Sequence, residues 1–218
     1  METIKIIALF VAFGVFSWGL WFCIEIWRMR RLKKVASDLG FTFSETAKLN
    51  ELQHPDSRLF EVNADKQYIN VMSGEYCGVP CEIFGFSYWV HQHKNRRRIN
   101  QTIFVFESIK SFSFVECMYG DKNSFFLLEK TPEALDIQLN MAEFDSKYRL
   151  QGKDVKTIKK WFRKVGADIM FTTGCASMAW QGSRCMFYVT EERVPVADIT
   201  SKLKTYHDAF TKLEAELP

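Results

Sequence analysis

Two cysteines stand four residues apart in GEYCGVPCEIF, at Cys77 and Cys81. Thiols that close could belong to a zinc site or a redox pair. A structural zinc site takes four ligands, usually as two close pairs. The other cysteines, at 23, 117, 175 and 185, stand alone. A thioredoxin-like pair has two intervening residues at a helix start, and here there are three. The surroundings read as a hairpin whose turn comes from Gly74 and Gly78, with cysteine as a small apolar filler. No metal and no cofactor is expected from them.

His91 and His93 alternate, so on a strand they share a face and could hold a cation. Lys94, Arg96, Arg97 and Arg98 follow at once and would repel it. The stretch reads as the basic tip of a hairpin, either simply solvated or touching phosphate of lipid headgroups or nucleic acid. Residues 153–165 give a second basic face through Lys156, Lys159, Lys160, Arg163 and Lys164. Aromatic residues do not interleave those charges, which argues against nucleic acid. GxSxG, HExxH and P-loop patterns are absent. A Cys–His pair can form only in the fold, and His207 has no marked cysteine partner. No catalytic residue is assigned.

The elements that must position these groups begin with a long apolar run. Ile6 to Ile24 is nineteen residues without a charged side chain. As a helix it would extend roughly 28 Å, about the thickness of a bilayer's hydrocarbon core. Trp21 and Trp27 suit an interfacial belt, and Arg28, Arg30, Arg31, Lys33 and Lys34 follow. A cleaved signal peptide would carry its charge first and a small-residue cleavage site after. The sequence therefore predicts a transmembrane helix at 4–27 and a juxtamembrane basic helix at 28–39 that stops near Gly40. A soluble domain fills 40–218, with 120–135 the one plausible seam. The basic cluster puts the N-terminus outside and the domain in the cytoplasm, where thiols stay reduced. Those five cations fix topology and could also hold anionic headgroups.

Within the domain, 47% hydrophobic and 25% charged residues indicate an ordinary globular core. A net charge of +3 does not by itself suggest nucleic acid. From Gln67 the sequence turns β-branched and aromatic. Ile83, Gly85, Ser87 and Trp89 alternate with Glu82, Phe84, Phe86 and Tyr88, so an antiparallel meander is expected. HKNRRR (93–98) reads as a hairpin connection. A further strand before Pro132 and one ending at Gly152 follow. A helix comes next at 153–165, with Val155, Ile158, Phe162 and Val165 inward. DIMFTT, ASMAWQ and RCMFYVT read as three short strands, with Gln181–Ser183 turning between the last two. Pro195 opens a final amphipathic helix through Ile199, Leu203, Tyr206, Phe210 and Leu213. The fold class is α+β: transmembrane helix, antiparallel meander, helix, three short strands and C-terminal helix.

These pieces resemble a family of small bacterial membrane-anchored proteins of unknown function. The matching residues are Gly74 and Gly78, Phe84 to Tyr88, Gln101 and Thr102, and Phe144 with Tyr148, Leu150 and Gly152. The resemblance implies a single N-terminal span, a cytoplasmic α+β domain at the inner membrane, and no catalytic residues. The expected role is binding or scaffolding at the membrane's cytoplasmic face. Candidate contacts to anionic lipid or an acidic partner are Arg28, Arg30, Arg31, Lys33, Lys34, Lys94, Arg96, Arg97 and Arg98. A hydrolase with an unmarked site, such as a thiol enzyme, is one alternative. A nucleic-acid-binding defence or stress protein at the membrane is another.

Overall fold

The computed structural model describes residues 2–47, 58–61, 66–92, 95–120, 134–174 and 176–218. Side-chain surroundings are described for these apart from residues 2–12, 21, 58, 61, 90–92, 95 and 96. The chain opens with one uninterrupted helix, α1 (Glu2–Asp38). Its two halves differ. Phe13, Val15, Phe16, Trp18, Leu20, Phe22 and Ile24 are all exposed, whereas Leu32 and Ala36, one turn apart, are buried in the domain core. Val35 and Leu39 pack beside them. Among the described residues no helix is long and apolar enough to cross a membrane. The expected span at 4–27 falls in good part on side chains outside that set.

Gly40 ends α1 at φ 73°, a left-handed conformation open to glycine. Leu39 N donates to Val35 O at 3.0 Å and Phe41 N to Ala36 O at 2.8 Å, so the last carbonyls are satisfied. Phe41 then turns inward, and a Cβ on Gly74 would sit 2.4 Å from its ring. Gly74 is therefore there for close packing rather than for the turn.

The expected meander is present. After β1 (Thr42–Ala47) comes a short helix α2 (Arg58–Glu61), then β2 (Gln67–Tyr76), β3 (Val79–Gln92) and β4 (Asn95–Tyr119), each strand antiparallel to the next. Cys77 and Gly78 make the two-residue turn between β2 and β3, with Tyr76 paired to Val79. Both have positive φ, 51° and 83°, which matches the twist of the flanking strands. The basic stretch differs from the expected connection. Gln92 pairs with Asn95, and Arg96, Arg97 and Arg98 lie within β4 opposite His91, Val90 and Trp89. Cross-strand pairing through to the tip draws the arginines into the ladder. His93 and Lys94 lie outside the described residues.

β4 runs through the centre of the sheet. β3 pairs with its first half and β6 (Tyr148–Gly152) with its end, while β7 (Ser177–Tyr188) lines the other edge. β5 (Leu135–Ile137) extends the sheet beyond β6. The register with β7 shifts between Glu107 and Phe112 and again before Val115, so β4 bulges and bends. The strand and turn expected near Pro132, and most of the suggested seam, lie outside the described residues.

Two expectations from the second half are corrected. DIMFTT is not a strand. After a short helix α3 (Ala142–Lys147), α4 (Val155–Trp161) passes through one wide π turn (Phe162–Gly166) into α5 (Ala167–Thr172). Gly166 does not stop the helix, because it packs against the Phe162 ring. ASMAWQ and RCMFYVT are one continuous strand, β7. Gly182 (φ 58°) bends it opposite Phe112 of the β4 bulge instead of reversing it. The final helix α6 (Ile199–Ala215) follows a single 3₁₀ turn after Pro195 and buries the expected stripe.

The sheet buries both faces. On one, α1, α4, α5 and α6 cover Ile83, Phe104, Phe106, Trp180 and Phe187. On the other, Leu59 and Phe60 of α2 join Tyr68, Phe84, Phe86 and Tyr88 in an aromatic cluster. The alternation read along β3 thus separates the two cores, Ile83 on one side and Phe84, Phe86 and Tyr88 on the other.

Candidate functional site

The segment joining β7 to α6 runs along the free edge of β4 and is held there by Gln101 and Thr102. Thr102 N donates to Glu192 O at 3.0 Å, Glu191 N to Gln101 Oε1 at 3.1 Å, and Val194 N to Thr102 Oγ1 at 3.0 Å. Both side chains are buried, so these bonds are shielded from competing water. The QT dipeptide that carried part of the family resemblance here has a physical task, to fix residues 191–194.

That segment grips α1 at the point where the helix leaves the domain. Arg193 Nη1 and Nη2 bond Glu25 Oε1 and Oε2, each at 2.6 Å. One turn further along α1, Arg28 Nη2 donates to Val194 O at 2.8 Å. Glu25 lies near the boundary: the described apolar residues before it are exposed, Trp27 just after it is exposed too, and docking begins at Leu32 and Ala36. A forked guanidinium matching a carboxylate in this way is short, strong and directional.

The ion pair stands in a field of excess positive charge. Arg28 and Arg98 as well as Arg193 act on the Glu25 carboxylate. Burial, and then the charge of Arg193, pull the Arg28 guanidinium down to about 10, a large shift for a group that scarcely titrates in water. Arg28 Nε is buried with no hydrogen-bond partner among the described residues. Arg98 is held over the edge of β2 by Ser87 Oγ and Gln67 Oε1, both at 2.6 Å. A narrow cleft opens beneath Arg28 and Arg193, lined also by Asn70, Gly85 and Thr102. It holds about 20 Å³, room for a water but not for an organic substrate.

The sequence named two separate basic stretches, and the fold brings part of each together. Arg28 from the first and Arg98 from the second both act on the charge of Glu25, while Arg97 pairs with Glu191 of the gripping segment at 2.6 Å. The remaining juxtamembrane cations point elsewhere. Arg30, Arg31 and Lys34 are exposed, Arg31 lies 4.6 Å over the Trp27 ring, and Lys33 pairs with Glu45 at 2.9 Å. The side chains of His91 and Arg96 lie outside the described set. Gln101 and Thr102 entered the sequence reading only through the family resemblance, with no role attached, and Glu25 and Arg193 were not singled out. Glu25 left a trace, as an acid between an uncharged run and a basic one. On the helix at 155–172, Arg163 is spent on Leu139 O at 2.8 and 2.6 Å, and Lys164 pairs with Glu216.

The thiols divide. Cys77 is exposed in its turn. Cys81 is buried, and its burial pushes the thiol up to about 12. Cys117 and Cys185 are wholly buried and raised well above the ordinary range for the same reason. A thiol that keeps its proton is a poor nucleophile and a poor metal ligand. Among the described residues no group of three or more His, Cys, Asp or Glu is placed to hold a metal.

No family model and no curated protein matches the chain. Among solved structures it is similar to the crystal structure of the mycobacterial trehalose monomycolate transport factor A, TtfA. The match has 15% identity and a TM-score of 0.62, and covers 87% of this chain and 96% of that one. At that identity the likeness establishes a shared fold.

Proposed function

We propose that the protein is a membrane-tethered binding or scaffolding factor. In this reading α1 anchors it in a bacterial inner membrane, with the N-terminus outside and the α+β domain on the cytoplasmic face. The observation that carries it is the division of α1 at Glu25. The helix runs on unbroken from the domain, yet its described apolar side chains before Glu25 meet none of the core. Exposed Phe, Trp, Leu and Ile on every side of a helix are costly in water and favourable in lipid. Residues 6–24 carry no charged side chain, and five cations follow within eleven residues. The structural neighbour is described as a transport factor, a description this reading is compatible with.

The test is fractionation of cells making the full chain. It should remain in membranes through alkaline carbonate, which strips proteins held only by charge. A membrane-impermeant maleimide should label Cys77 only after the cells are opened. Release by carbonate, or labelling of Cys77 in intact cells, rejects the anchor or its orientation respectively.

A further inference from the structure

We infer that the arginine cluster at the exit of α1, formed by Arg28, Arg98 and Arg193, is a binding site for the phosphate of an anionic phospholipid headgroup. The inference rests on the tethered reading. Three guanidinium groups here act on one carboxylate, Glu25. Of the two acids that precede Arg193, Glu191 is engaged with Arg97. Arg28 is half-buried, and burial lowers its guanidinium to about 10 while leaving it charged at neutral pH; its Nε is buried and unpartnered among the described residues. A surplus of desolvated positive charge is unfavourable unless an anion balances it. Phosphate fits that need, because planar guanidinium groups bind its oxygens in pairs.

The position selects lipid over a free anion. Glu25 directly follows the last residue of the uncharged run, Ile24, so the cluster would lie at headgroup depth. Arg98 and Arg193 both leave part of the side chain exposed, so a headgroup can reach them at the rim. The narrow cleft behind cannot admit a sugar or a nucleotide base. Glu25 acts as the internal competitor, since it occupies the fork of Arg193 that a phosphate would otherwise take.

That competition makes a test with effects of opposite sign. The full chain is placed in nanodiscs of phosphatidylcholine, with or without phosphatidylglycerol. Retained lipid is counted by native mass spectrometry, and unfolding is followed by circular dichroism. Wild type should retain phosphatidylglycerol and melt higher in its presence. Arg98→Gln and Arg193→Gln should each weaken retention about tenfold, the scale of one charge-assisted bond. Glu25→Gln should strengthen it, because it frees the Arg193 fork. Should Arg193→Gln fail to fold, Arg98→Gln and Glu25→Gln still decide. Equal retention by wild type, Arg98→Gln and Glu25→Gln overturns the site while leaving the anchor standing. Stabilisation by inorganic phosphate in phosphatidylcholine discs, without an effect of phosphatidylglycerol, overturns the lipid as its occupant. Failure of the chain to enter nanodiscs at all rejects the tether and the site with it.

Discussion

Glu25 and Arg193 meet in a two-pronged ion pair, 2.6 Å on each prong, across 168 residues of sequence. They tie the helix that leaves the domain to the segment that leads into its last helix. The pair is only partly buried, so its worth lies between that of a surface bridge and that of a buried one. Arg193→Ala should destabilise the full chain in detergent by about 1–2 kcal/mol, and Glu25→Ala by a similar amount. A double-mutant cycle read by thermal unfolding should show coupling of the two changes. Additive losses would mean that the two side chains do not support each other.

Gly152 is needed by its neighbours and not for its φ. A Cβ there would sit 2.3 Å from Ile158 Cδ1 and 2.7 Å from the Phe114 carbonyl. The first atom can swing away, but the second belongs to the backbone of β4. Gly152→Ala should therefore cost about 1–3 kcal/mol, the range for overpacked cores. Denaturant unfolding checks it, and a neutral result would show that α4 can lift off the sheet freely.

The two cysteines of the β2–β3 turn should respond differently. Cys77 is held at φ 51°, a conformation asparagine tolerates better than cysteine does. Cys77→Asn should raise the melting temperature, whereas Cys77→Val should lower it. Cys81→Ser should lower it too, by about 1 kcal/mol of stability, because a hydroxyl replaces sulfur in an apolar site. In the native protein a maleimide should reach Cys77, while Cys81, Cys117 and Cys185 react only on unfolding.

Glu82 supplies a pH dependence. Its Oε2 is buried with no hydrogen-bond partner among the described residues. Burial raises its folded-state pKa above 4.5, with Glu107 adding to the rise and Arg184 opposing it. The folded state therefore binds this proton more tightly than the unfolded one. Its effect on stability is unfavourable above the folded pKa and disappears as pH falls below 4.5. Glu82→Gln should melt higher than wild type at pH 7, and the gap should close near pH 4 (about the ordinary glutamate value). A gap that widened on acidification would mean that Arg184 dominates the site.

The meander was legible because its signals are local. Alternation along β3, and a turn with Gly78 at its second position, need no distant partner. The misread segments failed where a local signal had two physical uses. The helix expected to end at 165 continues through Ala167–Thr172, because Gly166 packs against the Phe162 ring inside it and DIMFTT, apolar enough for a strand, suits a helix equally. Gly182 looked like a turn but bends a strand whose partner bulges at the same place. The grip on α1 was not legible at all. Gln101, Thr102, Arg193 and Glu25 carry no shared spacing, and only the pairing of β4 with what lies beside it brings them together.

The absence of any break between Glu2 and Asp38 has a mechanical consequence. A helix without proline, bulge or loop between its free and docked halves has no joint at which to swivel. With Glu25 and Arg28 clamped, tilting the free half by a few degrees must turn the whole sheet with it. Adding one residue just before Glu25 would twist the free half by about 100° relative to the domain and lengthen the arm by about 1.5 Å. The domain's bearing on whatever surrounds that arm is thus set by the helical phase, as a key's teeth are set by the angle of its shaft.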